Sequence, residues 1–161
     1  MSRAVIAFGA NLGEREATIA SATRALAESP GVELVAVSPV YETAAITDAG
    51  VDADAPGYLN GVLVIDTVLA PLDLLDLLQS IETQHGRVRT THWGDRTLDL
   101  DLIDVDGIEL ASERLTLPHP RAWERAFVLQ PWLDVDPDAV LPGRGPVAVL
   151  RRDARDEVVR R

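Results

Sequence analysis

The sequence contains no cysteine and no lysine, and only 4 % of its 161 residues are aromatic. The absence of cysteine excludes disulfide scaffolds and thiolate metal sites. No run of about 18 apolar residues occurs, which excludes an ordinary membrane-spanning helix. With 47 % hydrophobic residues but few rings, the core is expected to be aliphatic. The length predicts a single globular domain over residues 1–161.

Positive charge is also scarce, because the chain has 15 arginines and 26 acidic residues, which gives a net charge of −11. Binding to nucleic acid or to anionic membranes needs a positive surface, so neither partner is expected. The N-terminal segment turns to glycine and charge too early for the pattern of a signal peptide. A cytoplasmic protein is therefore the expectation.

Hydrophobic periodicity predicts an alternation of strands and helices. The order β-α-β-β-α-β that results is typical of a ferredoxin-like α+β core. Two polar segments without periodicity, 44–57 and 86–97, are predicted to be surface loops, and Pro131, Pro137, Pro142 and Pro146 are predicted to break up the tail. The predicted strands are 3–9, 32–38, 58–67 and 98–103, and the predicted helices are 14–28, 71–85 and 121–132.

Asp99 and Asp101 form the strongest chemical signal, because they alternate with leucines in a predicted strand. Side chains of a strand alternate between its faces, so both carboxylates share one face and lie roughly 7 Å apart. Such a pair can hold hard cations, and Mg²⁺ typically takes one or two protein carboxylates while water and phosphate complete its shell. In so acidic a chain, a solvated acidic face is the alternative interpretation.

Cationic and imidazole side chains gather around this pair in the sequence. All three histidines and six of the fifteen arginines fall between residues 85 and 125. The guanidinium fork matches phosphate oxygens, so carboxylates for Mg²⁺ beside several arginines indicate a polyphosphate site. Ion pairing of these arginines with neighbouring carboxylates is the competing interpretation.

Several other side chains suit a flat heterocyclic ligand. Asn60 lies beside Tyr58 at the start of an otherwise apolar strand, and its amide can pair with the edge of a ring. Trp93 lies in a glycine-containing loop where it can cover a ligand, and Phe127 can stack on a ring. Each of these residues is equally compatible with a packing role.

Six short motifs occur in a fixed order along the chain. They are FGANLG (8–13), SPVYET (38–43), YLN (58–60), GRVR (86–89), WGDRTLDLD (93–101) and LPHP (117–120). Together they resemble the 6-hydroxymethyl-7,8-dihydropterin pyrophosphokinase family of folate biosynthesis. The resemblance covers residues 3 to about 143, and the segment 96–103 is close to the family's signature.

The resemblance implies an ATP-dependent diphosphotransferase with a three-layer αβα ferredoxin-like fold and a mainly antiparallel sheet. The family transfers the β,γ-pyrophosphoryl group of ATP to the hydroxymethyl oxygen of the pterin and releases AMP. Two Mg²⁺ ions serve the reaction, and members are usually monomeric. ATP and 6-hydroxymethyl-7,8-dihydropterin are thus the expected small-molecule partners.

The resemblance also assigns roles to matching residues of this chain. Asp99 and Asp101 match the metal ligands. Arg89 and Arg96 match positions at the triphosphate, where they are expected to stabilise the charge that shifts during the transfer. Positions of the nucleotide and triphosphate site are matched by Gln79, Glu82, Arg87, Leu102, Arg114, Thr116, His119 and Arg125. Positions of the pterin pocket are matched by Thr43, Ala45, Tyr58, Asn60, Trp93 and Phe127.

A few positions depart from the family's pattern. Ala44 and Ala45 stand where prolines are frequent, which should reduce loop stiffness, and Thr90 replaces a common basic residue. Asp95 adds a negative charge next to Arg96, where proline is common. None of these departures removes a metal ligand.

Two other functions stay open at this point. A metal-dependent phosphohydrolase would use the same aspartates but would hydrolyse ATP without a pterin. A non-catalytic nucleotide-sensing module would use the arginines but would bind ATP without a metal ion.

Overall fold

The computed structural model describes residues 1–11, 14–43, 45–47, 50–52, 57–85 and 98–161. Its helices are α1 (Arg15–Ala27), α2 (Pro71–Gln84), α3 (Ala126–Val135) and α4 (Val147–Asp153), with a 3₁₀ turn at Ala122–Glu124. Its strands are β1 (Ser2–Ala10), β2 (Val32–Val37), β3 (Tyr41–Thr43), β4 (Ala45–Thr47), β5 (Gly50–Asp52), β6 (Tyr58–Thr67), β7 (Asp99–Val105), β8 (Leu110–Ala111), β9 (Thr116–Leu117), β10 (Val140–Leu141), β11 (Gly145–Pro146) and β12 (Val159–Arg160).

Six of these strands form one sheet in the order β12-β3-β6-β1-β7, with β2 pairing with β6 as well. Every described pairing is antiparallel. The run 58–67, apolar on both faces, predicted a central strand, and β6 confirms this prediction because it pairs with β1 on one edge and with β2 and β3 on the other. Strand β7, which carries the two aspartates, lies at one end of this order.

Helices cover both faces of the sheet. On one face, α1 and α2 bury Leu26, Leu74 and Leu78 against odd-numbered residues of β6 such as Leu63. On the other face, α3 and α4 bury residues such as Leu129 against even-numbered residues of β6. Leu74 and Leu78 lie one turn apart, which is the spacing that predicted the buried stripe of α2. The expected three-layer α+β fold is confirmed.

Three sequence predictions about irregular segments were wrong in part. Within 44–57, β4 and β5 pair as a short ladder, because backbone hydrogen bonds form without any apolar pattern to reveal them. Pro131 lies inside α3 rather than breaking the chain, and burial of its ring offsets the hydrogen bond that proline cannot donate. The tail beyond residue 143 forms α4 and β12, and β12 extends the central sheet beside β3.

No helix in the described part of the chain is both long enough and apolar enough to cross a bilayer.

Candidate functional site

A row of residues crosses the sheet where the predicted site residues meet. Asp99 of β7 pairs with Gly9 of β1, Gly9 pairs with Asn60 of β6, and Asn60 pairs with Tyr41 of β3. Directly opposed residues point to the same face, and strands lie about 4.8 Å apart, so Asp99 and Asn60 lie about 10 Å apart. Gly9 carries no side chain, and a Cβ atom added there would lie 3.3 Å from the Oδ1 of Asn60.

The amide of Asn60 is held by its neighbours on the α3 side of the sheet. Its Nδ2 donates to the hydroxyl of Thr43 at 3.0 Å and to the carbonyl of Tyr58 at 3.4 Å. Thr43 and Tyr58 are themselves opposed across β3 and β6. Since Asn60 is 6 % exposed, its amide is presented in a nearly dry environment. The structure thus brings together three residues predicted for the pterin pocket.

Asp99 and Asp101 share the α3 face of β7, as their alternation with leucine predicted. Both are half-buried, while Leu100 and Leu102 between and after them are buried on the opposite face. Within the described ranges, no group of three or more His, Cys, Asp or Glu side chains is arranged to hold a metal ion. Two carboxylates nevertheless fit Mg²⁺, which typically takes one or two and completes its shell with water and phosphate oxygens.

Glu82 of α2 supports the strand between the two aspartates. Its side chain is 2 % exposed, and its Oε2 accepts the backbone N–H of Leu100 at 2.9 Å. The helix α2 that carries Glu82 packs on the face opposite Asp99 and Asp101, and the role in the nucleotide pocket that the resemblance predicted for Glu82 stays a prediction. Glu82 therefore has a positioning contact with the strand that carries the carboxylates.

A groove of about 260 Å³ lies at the edge of the sheet beside β7. It brings together Asp101, Leu102, Arg114, Thr116 and His119, all of which were predicted for the metal or nucleotide site. The residues that sequence reasoning missed there are Leu75, Leu100, Ser112, Glu113, Leu115 and Pro120. Leu100 and Pro120 belong to the motifs 93–101 and 117–120, and Leu75 belongs to α2. The sequence signal of Ser112, Glu113 and Leu115 is their proximity in the chain to predicted residues.

Arg114 reaches across this groove towards α2. Its Nη2 donates to Asp76 at 2.5 Å and lies 3.5 Å from the Oε1 of Gln79. The contact with Gln79 unites two predicted nucleotide residues that are 35 positions apart. Because the Arg114–Asp76 pair is exposed, it contributes little to stability, and an anionic ligand can compete for the guanidinium.

His119 is poised as a neutral hydrogen-bond donor. Burial lowers its pKa, the positive charge of Arg125 lowers it further, and the charge of Asp99 opposes both. The imidazole is therefore neutral at pH 7. The backbone N–H of Arg121 donates to its Nδ1 at 3.2 Å, so the proton resides on Nε2 and can be donated to an anionic oxygen.

The N-terminus of α3 carries two more predicted residues. Arg125 is the N-cap residue, and its Cζ lies 5.6 Å from the centre of the Phe127 ring. Phe127 is half-buried, so part of its ring is accessible. The hydroxyl of Tyr41 donates to the carboxylate of Asp134, which ties β3 to α3 on this side of the sheet.

Some sequence predictions fall on parts of the chain that the structure does not describe. Ala45 lies in β4, where the backbone alone is described. The predicted site residues Arg87, Arg89, Trp93 and Arg96, and the departures at Ala44, Thr90 and Asp95, lie outside the described residues.

One buried polar residue near the row was given no role by sequence reasoning. Asn11 follows β1, is 2 % exposed, and neither polar atom of its side chain has a hydrogen-bond partner within the described structure. Its sequence signal is an asparagine between apolar residues at the end of a strand.

Comparison with known proteins identifies relatives of this chain. The sequence model of the family described as 7,8-dihydro-6-hydroxymethylpterin-pyrophosphokinase matches residues 5–137. The 2-amino-4-hydroxy-6-hydroxymethyldihydropteridine pyrophosphokinase of Pseudomonas aeruginosa is 47 % identical over 142 residues, which are 88 % of this chain and 85 % of that protein. The protein of the same name from Haemophilus influenzae is 37 % identical over 156 residues, which are 97 % of this chain and 95 % of that protein.

Solved structures share the fold. The chain aligns with wild-type Plasmodium falciparum HPPK-DHPS, crystallised with pteroate, at a TM-score of 0.73 and 13 % identity. The alignment covers 94 % of this chain but 42 % of that one, so this chain spans less than half of the length of the Plasmodium protein.

Proposed function

The chain belongs to the 7,8-dihydro-6-hydroxymethylpterin-pyrophosphokinase family, and we propose that the row from Asp99 to Asn60 carries the reaction of this family. The protein is an ATP-dependent pyrophosphokinase of folate biosynthesis that transfers pyrophosphate to the hydroxymethyl group of 6-hydroxymethyl-7,8-dihydropterin. The observation that supports the residue assignment is the pairing of Asp99 with Gly9 and of Gly9 with Asn60. This pairing places the carboxylate of Asp99, which suits a metal ion, and the amide of Asn60, which suits a heterocycle, about 10 Å apart on one face of the sheet.

Asp99 and Asp101 would hold Mg²⁺, and we assign two ions to the site. When bound, Mg²⁺ neutralises phosphate oxygens and so favours displacement at phosphorus. The assignment is supported by the hard oxygen donors of the two side chains and by the groove beside Asp101.

The groove beside β7 would receive the nucleotide. Its aliphatic wall, formed by Leu75 and Leu102, suits the adenine ring, and Thr116 adds a hydroxyl beside it. His119 would donate from Nε2 to a phosphate oxygen, and Arg125 would meet phosphate at the N-terminus of α3. Arg87, Arg89 and Arg96 are assigned to the triphosphate from their sequence positions, with Arg89 and Arg96 stabilising the charge that develops.

The pterin would lie between β6 and the N-terminus of α3. Asn60 would pair with its amide edge, Phe127 would stack on one face, and Trp93 on the other. Thr43, Ala45 and Tyr58 would complete the pocket. The pterin hydroxyl then attacks the β-phosphorus of ATP in line, and AMP leaves. We assign no general base, because a loose transition state asks little of one.

Two further properties belong to the proposal. We assign the protein to the cytoplasm, supported by its use of ATP. We also propose that it works as a monomer, as the resemblance to the family implies.

The test is an assay of AMP release from ATP and Mg²⁺ with 6-hydroxymethyl-7,8-dihydropterin. AMP is expected to form only when the pterin is present and to stop when EDTA is added. Rapid ATP hydrolysis without the pterin would instead favour a phosphohydrolase. ATP binding that is insensitive to EDTA, with no turnover, would favour a nucleotide-sensing module.

Replacement of either carboxylate tests the metal assignment. Asp99→Ala or Asp101→Ala should lower turnover by roughly three orders of magnitude or more, because the charge on the phosphates is no longer neutralised. The matched control is Asp153→Ala, which removes an exposed carboxylate at the end of α4 and should leave turnover unchanged. Near-normal AMP release by a folded Asp99 or Asp101 variant would contradict the assignment.

A further inference from the structure

The C-terminal segment 154–161 lies beyond residues 5–137, which the sequence model of the family matches, yet it contacts both β3 and the start of α3 beside the proposed pterin pocket. On one side, β12 pairs with β3, the strand that ends at Thr43. The pairing places Val159 opposite Glu42, and the backbone N–H of Arg161 donates to the carbonyl of Val40 at 2.9 Å. On the other side, the segment reaches the N-terminus of α3.

The contact with α3 is made by the carboxylate of Asp156. Its Oδ1 accepts the backbone N–H of Ala126 at 2.8 Å, and its Oδ2 accepts the backbone N–H of Phe127 at 3.3 Å. The N-cap residue itself, Arg125, makes no side-chain capping bond. A residue 30 positions away in the sequence therefore satisfies the N–H groups that a helix leaves unpaired at its start.

This cap contacts the part of α3 whose residues we propose to bind the two substrates. One of its two hydrogen bonds goes to the N–H of Phe127, whose ring is proposed to stack on the pterin. Arg125, proposed to meet phosphate, directly precedes the two capped residues. A negative charge at a helix N-terminus is also favourable in itself, because the aligned peptide dipoles leave partial positive charge there.

Further contacts of the segment hold Asp156 in place. The guanidinium of Arg161 donates to Glu42 at 2.7 Å and to Glu16 at 3.1 Å, which anchors the end of the chain to β3 and α1. Arg15 lies 3.8 Å from the same Glu42 and donates to the carbonyl of Gly57, the residue before Tyr58. The end of the chain is thus fastened to β3 and α1, through a side chain of β3 that alternates with Tyr41 and Thr43.

We propose that Asp156 is a positioning residue for pterin binding, which sets the orientation of Phe127 by capping α3 from the C-terminal segment. This inference rests on the proposed function, because it assumes that Phe127 contacts the pterin. It adds a residue outside the matched region 5–137 to those on which substrate affinity depends.

The test compares Asp156→Ala, Asp156→Asn and Glu157→Ala by steady-state kinetics, with the melting temperature measured in parallel. Loss of a capping side chain typically destabilises a helix by a free energy that corresponds to an about 3- to 10-fold change in an equilibrium constant. The KM for the pterin should rise by this factor in Asp156→Ala. The KM for ATP should rise less than the KM for the pterin, because Arg125 at the start of α3 adjoins the capped residues whereas the groove residues lie on β7, β9 and α2. Asp156→Asn retains an acceptor and should recover most of the affinity, and the exposed Glu157→Ala should behave as wild type.

A second measurement separates positioning from general stability. In a Phe127→Ala background, Asp156→Ala should cause no further rise in the KM for the pterin, because the ring that it orients is gone. The proposal is overturned if folded Asp156→Ala lowers the melting temperature but leaves the KM for the pterin unchanged, or raises both KM values equally. If the wild-type protein releases no AMP with the pterin, the proposed function fails instead, and the two failures are distinct.

Discussion

Gly61 and Phe8 oppose each other directly across β6 and β1, in the middle of the sheet and one position from Asn60 and Gly9. Phe8 is 3 % exposed, and the outer end of its ring lies beside the Gly61 backbone. A Cβ atom added at Gly61 would lie 2.1 Å from Cζ, 2.7 Å from Cε2 and 2.9 Å from Cε1 of that ring. Ordinary van der Waals contact begins near 3.4 Å, so Gly61→Ala requires a displacement of more than about 1 Å.

The cost of this substitution follows from the packing around the ring. Phe8 belongs to the cluster packed under α1 and α2, so its ring cannot swing away without disturbing the core. Overpacking of this kind costs about 1–3 kcal/mol, and the lower backbone entropy of alanine returns about 0.5–1 kcal/mol. Gly61→Ala is therefore expected to lower the free energy of unfolding by about 1–2 kcal/mol.

A double-mutant cycle measured by urea denaturation tests the reasoning. Leucine at position 8 ends at the atoms that correspond to Cδ of phenylalanine, so Phe8→Leu removes all three atoms that clash. In the Phe8→Leu background, Gly61→Ala should cost less than about 0.5 kcal/mol. An equal cost of Gly61→Ala in both backgrounds, or no cost in the wild-type background, would refute the assignment of the effect to the ring.

Two further substitutions probe buried carboxylates. Glu82→Ala leaves the N–H of Leu100 without its acceptor, so it should lower the free energy of unfolding, measured by urea denaturation, by about 1–3 kcal/mol. Glu82→Gln retains an acceptor and should lower it less. Equal losses in the two variants would argue against the contact with Leu100. Asp104 is buried, and burial raises its pKa, so its ionised form is disfavoured in the folded state and stability is lost as the pH rises towards that pKa. Asp104→Asn keeps an acceptor for the N–H of Gly107 and should raise the melting temperature at pH 7 by about 2–4 °C. This gain should become smaller towards about pH 4, because Asp104 of the wild-type protein becomes protonated there. A gain of the same size at both pH values would contradict the role of charge.

The placement of several candidate site residues could be predicted because these residues lie in short motifs. The alternation around Asp99 and Asp101 predicted that both carboxylates share one face, and β7 confirms it. The grouping of His119 and Arg114 near this strand in the sequence predicted a common site, and the resemblance added Thr116. The groove beside β7 brings the three residues together. Roles in binding that were carried over from the family, such as that of Phe127, stay predictions.

Other features could not be predicted because their determinants are far apart in the chain. The role of Glu82 depends on a backbone N–H on another element, and a hydrogen bond to a backbone group leaves no trace in residue types. The ladder of β4 and β5 lacks an apolar stripe, so periodicity had nothing to detect. The tail was interpreted through its prolines, although Pro131 is tolerated by burial and Val147 anchors α4 in the core.

The sequence by itself thus determined the main strands and helices, the placing of two aspartates on one strand face, and the family, since each depends on residue types within short segments. Tertiary structure alone decided that Asp99, Gly9 and Asn60 form one row, because register between strands is set by the packing of both sheet faces. It also decided that Asp156 caps α3, since a helix start accepts any correctly placed carboxylate, whichever part of the chain supplies it.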